Sequence, residues 1–578
     1  MARVTDSNLK QDSHHKGGAD QPTGATIEEI KLSLLRPAGY APEAGNTRVL
    51  PDEADLGLTS IIRALDIDGR HSRTVSAVLG ELNSDPVVIS YRQDVLYELL
   101  RLPGIVQQFS LALPNLTELA MVGRTKQWGE TQPLPQVVGR LAELEIYVNC
   151  VEGLWSALGS YQGTASNSST GLLGLRSGLQ RVRNESVYQG LAAELPRLRA
   201  SLREASSITL GINLDAQLRP ESATIVSVNQ ERFSGKGTLL QRLLGDRAAA
   251  EAQRSSRNLY PANDNRPNTP EHELFRELDR ILEKVARPVA ETLARYTKVS
   301  SAWLAALGPE IAFYLGAVRL VKEMDQAGLA LCRPAIEPAA ENAGKASGLY
   351  SLDLALRLKG LKRQAEVVPN EVEFSASSHI FIVTGPNSGG KTTYTRAVGQ
   401  AQVLFQAGLP VPATAARFSP VDAIFTHFAR EERAEASGGR LAQELKSLSN
   451  LFRQASCNSL ILLNEPLTGT DHISARSLGK DLLAGLKLLG ARAIFVTHLH
   501  ELLEDTALDI ASGGGIVSLV AVASAPVENG SAFNPTYKII PGLPRALANA
   551  AELARQHGLS LPQITRTLRE RGLITPEE

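Results

Sequence analysis

The chain has 578 residues, 43% of them hydrophobic and 21% charged, with a formal net charge of −1. Such a balance is ordinary for a globular chain of about four domains with large cores, and it excludes a global basic field for nucleic acid, leaving only a local basic groove. Its three cysteines, Cys150, Cys332 and Cys457, share no paired spacing, which excludes a cysteine-built zinc site and points to a reducing, cytoplasmic setting.

Residues 1–24 are polar, lack an apolar signal core and read as a disordered tail in which His14 and His15 are solvated. From about Pro51 to Ser207 the pattern is helical: "LTSIIRAL" and "QDVLYELLRL" repeat leucine and isoleucine at three- and four-residue steps. The Ser/Gly stretch "GSYQGTASNSSTG" reads as a surface loop within it. A small strand pair is expected near 207–233, and a polar Pro/Asn-rich linker over 251–273. Leu274, Leu278, Ile281, Val285, Val289 and Leu293 mark one face of a long helix that Pro288 kinks or divides. Two more helical segments, "SAWLAAL" and "IAFYLGAVRLVKEMDQAGLAL", complete a mainly helical region over 25–345. No uninterrupted apolar run is long enough to span a bilayer, so no membrane partner is expected. "PAIEPAAENAGKASG" reads as a boundary, after which strands alternate with helices as in an α/β domain over 346–545. Residues 546–578 form a closing pair of helical segments.

Gly385-Pro386-Asn387-Ser388-Gly389-Gly390-Lys391-Thr392-Thr393 is a phosphate-binding loop, preceded by the apolar strand Ile380–Val383 and followed by a helical pattern. Glycines let the backbone wrap closely so that successive N–H groups point at phosphate oxygens, and the helix start adds its dipole. Lys391 is expected to reach the β- and γ-phosphates of ATP, and the Thr392 hydroxyl to ligate Mg²⁺. Two further strands end in polar residues: Leu460–Leu463 runs into Asn464-Glu465, and "RAIFVT" runs into His498. Ligands of open α/β sheets bind at such strand ends.

With these motifs the chain resembles the MutS family within the ABC class of ATPases. The residues that carry the resemblance are "TGPNSGGKTTYTR", "GLPVPATAARFSPVDAIFTHF", "LILLNEPLTGTD" and "FVTHLHEL", with weaker likeness over "DPVVISYRQDVLYELL" and "IAFYLGAVRLVKEMDQAGLALCRP". The resemblance implies a multidomain α and α/β fold: a helical core and lever, a P-loop ABC-type ATPase domain, and a C-terminal helix-turn-helix that supports dimerisation. It implies that Glu465 orients or activates the attacking water and that His498 senses the γ-phosphate. Asp471 and Ser437-Gly438-Gly439 are implied as trans-site residues of a composite site in a homodimer. The core-like helices start near residue 51, so the mismatch-reading domains and their Phe-x-Glu wedge are not expected, and Phe275-Arg276-Glu277 reads as helix packing. The small nuclease-like appendage of the second bacterial MutS branch is not expected either.

Asn464 stands where the family carries a carboxylate that supports Mg²⁺. An amide keeps an acceptor for a metal-bound water and removes one negative charge, so weakened metal affinity and slow hydrolysis are expected. The functional expectation is an ATP-binding, DNA-associated ATPase of repair or recombination acting on duplex or branched DNA without sequence preference. Arg176, Arg181 and Arg183 are candidate phosphate contacts, and a solvated helix face explains them equally well. The alternative is a nucleotide-gated protein scaffold with little hydrolysis and no direct DNA contact.

Overall fold

The computed structural model describes residues 32–40, 52–122, 133–163, 168–203, 207–214, 216–217, 220–229, 287–297, 299–375, 377–428, 440–506, 510, 514–523, 535–543 and 558–573. The expected tail, the 251–273 linker, the helix face from Leu274 to Val285, Phe275-Arg276-Glu277 and the first helix of the closing pair lie outside these residues.

The helical part comprises α1 (Glu53–Leu56), α2 (Leu58–Leu65), α3 (Ser72–Gly80), α4 (Pro86–Arg101), α5 (Pro103–Val122), α6 (Pro133–Leu158), α7 (Thr170–Asn184) and α8 (Ser186–Arg203). Side-chain caps set several starts: Asp52 accepts from the Ala54 and Asp55 N–H groups, Asp85 from Val87, and Ser169 from Leu172. Ser169 and Thr170 therefore open α7, although their composition read as loop; hydroxyl residues satisfy the free N–H groups of a first turn as readily as those of a turn. An antiparallel hairpin follows, β1 (Ser207–Leu214) with β2 (Pro220–Asn229), and residues 287–293 are helical.

The next helix, α9 (Ala302–Gln326), corrects the sequence reading. Two segments were expected, but Pro309 lies inside one continuous helix. Proline removes one i→i−4 hydrogen bond, a cost of about 3 kcal/mol in an exposed helix. Here burial against α5 and α2 offsets it, with Gly308 lying over Leu116. The helix stops at Ala327, and Gly328 turns the chain at φ +71°, so "GLAL" is not helical. By length and composition α9 could cross a membrane; in this fold it is the buried central helix of the bundle.

Residues 334–348, read as a boundary, carry strand structure. They form β3 (Ala335–Ile336) and β4 (Gly344–Leu349), which join β5 (Asn370–Phe374) and β7 (Ala415–Phe418) in a mixed sheet ordered β3-β7-β4-β5. Small residues hide this strand, because β-structure depends on what packs alongside rather than on local preference. A Cβ on Gly344 would come 2.9 Å from the guanidinium of Arg492.

The larger sheet is ordered β12-β11-β6-β10-β9-β8, from β6 (Ser378–Thr384), β8 (Ile424–Phe428), β9 (Leu460–Asn464), β10 (Arg492–Val496), β11 (Gly515–Ala523) and β12 (Pro535–Pro541). Only β12 runs antiparallel to its neighbour. The remaining helices are α10 (Leu352–Gly360), α11 (Lys391–Gln406), α12 (Arg440–Gln454), α13 (His472–Leu489), α14 (Glu501–Asp505) and α15 (Leu561–Glu570). Strands β6 and β9 are covered on both faces, which explains their unbroken apolar runs. Phe381, Val383, Leu460 and Leu462 face α11 and the helical part, whereas Ile380, Ile382, Ile461 and Leu463 face α12, α13 and α14.

The first of these cores is continuous with that of the helical bundle. Leu56 of α1 lies so close to Gly399 of α11 that a Cβ there would meet it at 2.5 Å. Polar contacts fix the same junction: Arg396 Nε donates to the Asp55 carbonyl at 2.8 Å, Gln400 Nε2 to the Leu56 carbonyl at 2.8 Å, and Thr426 Oγ1 to the Asp55 carboxylate at 2.7 Å. Ser60 Oγ donates to Asp353 of α10 at 2.7 Å. The helix that leaves the glycine-rich turn after β6 is thus packed directly on the start of the helical part.

Candidate functional site

Strand register assembles the site. Val383, Val496 and Asn464 are abreast in β6, β10 and β9, so the chain leaves three adjacent strands at one edge. The Thr497 N–H donates to the Val383 carbonyl at 3.1 Å, and the Glu465 N–H to the Val496 carbonyl at 3.0 Å, which extends the pairing just past the strand ends.

From β6 the chain enters the loop Gly385–Gly390. Gly385 has φ +127°, and a Cβ there would come 2.9 Å from the Ala521 side chain and 3.0 Å from its backbone. Gly389 is equally confined by Ala521, and Gly390, at φ +90°, is the N-cap of α11. Only glycine combines these angles with that approach. Asn387 and Ser388 form the exposed tip. Lys391 is 4% exposed, and its Nζ donates to the carbonyls of Gly385 and Pro386, each at 3.0 Å. Burial lowers its pKa, and the Glu465 carboxylate opposes that shift.

Across the edge, Thr392 Oγ1 donates to Asn464 Oδ1 at 3.1 Å. Glu465 follows in the left-handed region at φ +55°, and its Oε1 lies 2.9 Å from His498 Nε2. The hydrogen bond from His498 holds the Glu465 carboxyl below its ordinary value, with help from Lys391, against the upward push of burial. The structure therefore brings together Gly385 to Thr393, Asn464, Glu465 and His498. Asp471 lies apart, at the start of α13, where its Oδ1 accepts from the Ile473 and Ser474 N–H groups, each at 3.0 Å. It is a helix cap within its own chain. Ser437, Gly438 and Gly439 lie outside the described residues.

Beside the loop opens a cleft of about 420 Å³, lined by Tyr350, Leu354, Leu358, Tyr537, Glu465 and the stretch from Asn387 to Thr393. Sequence reasoning missed Tyr537. It has φ +57° and stands over Gly390, and its carbonyl accepts from Asn370 Nδ2 at 3.0 Å. Asn370 Oδ1 in turn accepts from the Ile539 N–H at 2.7 Å, so one buried amide fixes β12 against β5. A tyrosine in "NPTYKIIPG" gives no local signal, because its position depends on β12 closing the far edge of the sheet.

The arginines proposed for DNA have partners in their own chain. Arg183 Nε lies 3.0 Å from Glu152 Oε1 and its guanidinium covers Trp155, while Arg176 Nε donates to the Gly159 carbonyl at 3.3 Å. Arg181 lies close enough to Glu185 to lower that carboxyl's pKa, although burial raises it overall.

Comparison with known proteins matches residues 381–524 to the model of MutS domain V and residues 84–327 to that of the MutS2 N-terminal domain. The chain is 28% identical over 303 residues to Endonuclease MutS2 of Thermomicrobium roseum, covering 52% of this chain and 36% of the relative. With Endonuclease MutS2 of Streptococcus uberis it shares 29% identity over 194 residues, 33% of this chain and 24% of the relative. With DNA mismatch repair protein MutS of Haloquadratum walsbyi it shares 36% over 140 residues, 24% of this chain and 15% of the relative. The matched part is thus between 15% and 36% of the length of these three curated relatives.

Proposed function

The chain belongs to the MutS family, and from that premise we propose that it is a cytoplasmic, DNA-associated ATPase of repair or recombination. Two copies would form an ABC-type switch in which ATP binding and slow hydrolysis change the grip of the helical part on duplex or branched DNA. The observation that carries this reading is the convergence of the phosphate-binding loop, the Thr392–Asn464 pair and the Glu465–His498 pair at one sheet edge.

In this reading the loop N–H groups and Lys391 hold the phosphates, Glu465 orients the attacking water and His498 stands by to contact the γ-phosphate. The donor set fits Mg²⁺, since a hydroxyl and an amide oxygen meet at 3.1 Å and this ion keeps most of its waters. Thr392 and Asn464 would hold it, and when bound it neutralises charge on the β- and γ-phosphates. Asp471 and Ser437 to Gly439 are assigned to the trans site by the resemblance alone. The nucleobase would stack on Tyr537 in the cleft. Tyr537→Ala is then expected to raise the ATP dissociation constant about tenfold, as loss of one stacking contact worth ~1–3 kcal/mol does. An unchanged constant, measured by titration calorimetry, would remove the base from that wall.

The word endonuclease belongs to the much longer relatives, and the proposed function includes no nuclease step. The test is Mg²⁺-dependent ATP turnover with and without DNA, beside a salt series of a DNA mobility shift. Turnover that DNA stimulates, and a shift that weakens at least about tenfold between 50 and 200 mM salt, are expected from as few as two phosphate contacts. Turnover without any shift would favour the second reading, a nucleotide-gated scaffold for a protein partner. One observation favours that reading: Arg176 and Arg183 are engaged within the chain.

A further inference from the structure

Immediately after β9 the backbone is strained twice within three residues. Glu465 has φ +55° and Leu467 has φ +69°. Residues other than glycine in this region cost on the order of 1–3 kcal/mol each and persist only where the surroundings enforce them. For Leu467 the enforcing group is Glu444 of α12. Its Oε1 accepts from the Leu467 N–H at 2.6 Å and lies 3.0 Å from Nε2 of His427. His427 is on β8, in register with Leu463 of β9, so a single carboxylate oxygen ties a helix, the neighbouring strand and the turn. The Leu467 side chain is 2% exposed and belongs to the apolar cluster against which Leu445, Phe452, Leu478 and Leu482 pack, which gives the turn a second anchor.

The turn has little slack. The Glu465 N–H is fixed to Val496 on one side, and the Leu467 N–H to Glu444 on the other. Only Pro466 lies between them, and its ring fixes φ. These two anchors therefore fix the backbone from which the Glu465 side chain projects, and His498 holds its far end. Burial raises the pKa of Glu444, but the hydrogen bonds from His427 and Leu467 outweigh it, so the carboxylate stays charged in its place. Neither Glu444 nor His427 lines the nucleotide cleft.

We propose that Glu444, supported by His427, is a positioning residue that holds the turn after β9 and so aims the Glu465 carboxylate at the attacking water. The proposal rests on the ATPase reading above. It separates turnover from binding: Glu444→Ala should lower kcat at least about tenfold, since small misplacements of a catalytic group are costly. The ATP dissociation constant should change less than threefold. Glu444→Gln, which keeps an acceptor for the Leu467 N–H, should recover kcat to within threefold of wild type. His427→Ala, which leaves that bond intact, should lose about threefold and provides the comparison if Glu444→Ala does not fold.

The experiment pairs these kinetics with amide hydrogen exchange over residues 465–471. Faster exchange in Glu444→Ala, restored in Glu444→Gln, is expected alongside the turnover loss. Unchanged turnover in Glu444→Ala and His427→Ala overturns the proposal, as does a dissociation constant that rises in step with the loss of kcat. A wild type without turnover defeats the ATPase reading, and with it any role for Glu444 in aiming a base. The exchange pattern then still decides whether Glu444 holds the turn.

Discussion

Glu465→Gln is expected to lower ATP turnover by at least about a hundredfold, the usual contribution of a positioned base, while ATP binds nearly as before. The amide preserves size and a hydrogen bond to His498, so the strained turn keeps its shape; what it loses is the capacity to accept a proton and the negative charge beside Lys391. The carboxyl's lowered pKa gives the sign of the pH dependence. A folded-state value below the unfolded one means that the ionised form adds stability above the unfolded value and that this contribution is lost as pH falls through the folded value. Glu465 is therefore ionised throughout the neutral range, and acid loss of turnover through it begins only below its ordinary value. A Glu465→Gln enzyme that turns over at the wild-type rate would show that another group handles the water. Asn464→Asp makes the complementary test. It adds one charge beside the Thr392 hydroxyl, and a unit charge at about 4 Å is worth at least ~1 kcal/mol even in water. The Mg²⁺ concentration for half-maximal turnover should then fall at least about fivefold. If it does not move, Asn464 does not face the metal.

How much of this was legible in the sequence depended on how local each cause was. The glycine-rich turn after β6 was readable because its glycines answer a local demand for unusual backbone angles close to a neighbouring strand, as at Gly385. The buried strands were readable because both faces are covered, so Ile380–Val383 and Leu460–Leu463 carry no polar alternation. The strand at 344–349 was not, because glycine, alanine and serine there are selected by Arg492 and by β7, far away in sequence. Pro309 misled for the same reason, since its effect on α9 is decided by the helices around it. Within the site, Glu465 and His498 stood at strand ends where a ligand could be expected. Tyr537, Asn370 and Glu444 are placed only by the pairing of β12 at the edge of the sheet and by the packing of α12, and no spacing announces them.

Gly316→Ala should destabilise the chain by about 3 kcal/mol, towards the upper end for overpacking, because the added carbon has nowhere to go. A Cβ at 316 would lie 1.7 Å from the Leu65 carbonyl oxygen and 2.7 Å from its carbon. Both are backbone atoms, so no side-chain rotation relieves the clash and α9 must move away from α2. That movement is opposed one turn later, where the Arg319 guanidinium donates to the carbonyls of Ala64 at 2.8 Å, Asp66 at 3.0 Å and Ile67 at 3.2 Å. These bonds take up one carbonyl in the last turn of α2 and two just beyond it, where a helix end leaves carbonyls free of intrahelical partners. Because α2 continues from α1, and α1 is docked on α11, the displacement is directed towards the helix that begins at Lys391. The unfolding midpoint in urea should fall, and ATP affinity should fall with it, although Gly316 touches no part of the cleft. Gly174→Ala in α7 is the control: a Cβ there meets nothing within 4 Å, and replacing glycine in a helix should raise stability by about 0.5–1 kcal/mol. If the two variants shift the midpoint alike, the close approach of α9 to α2 is not what holds the helical part against the sheet.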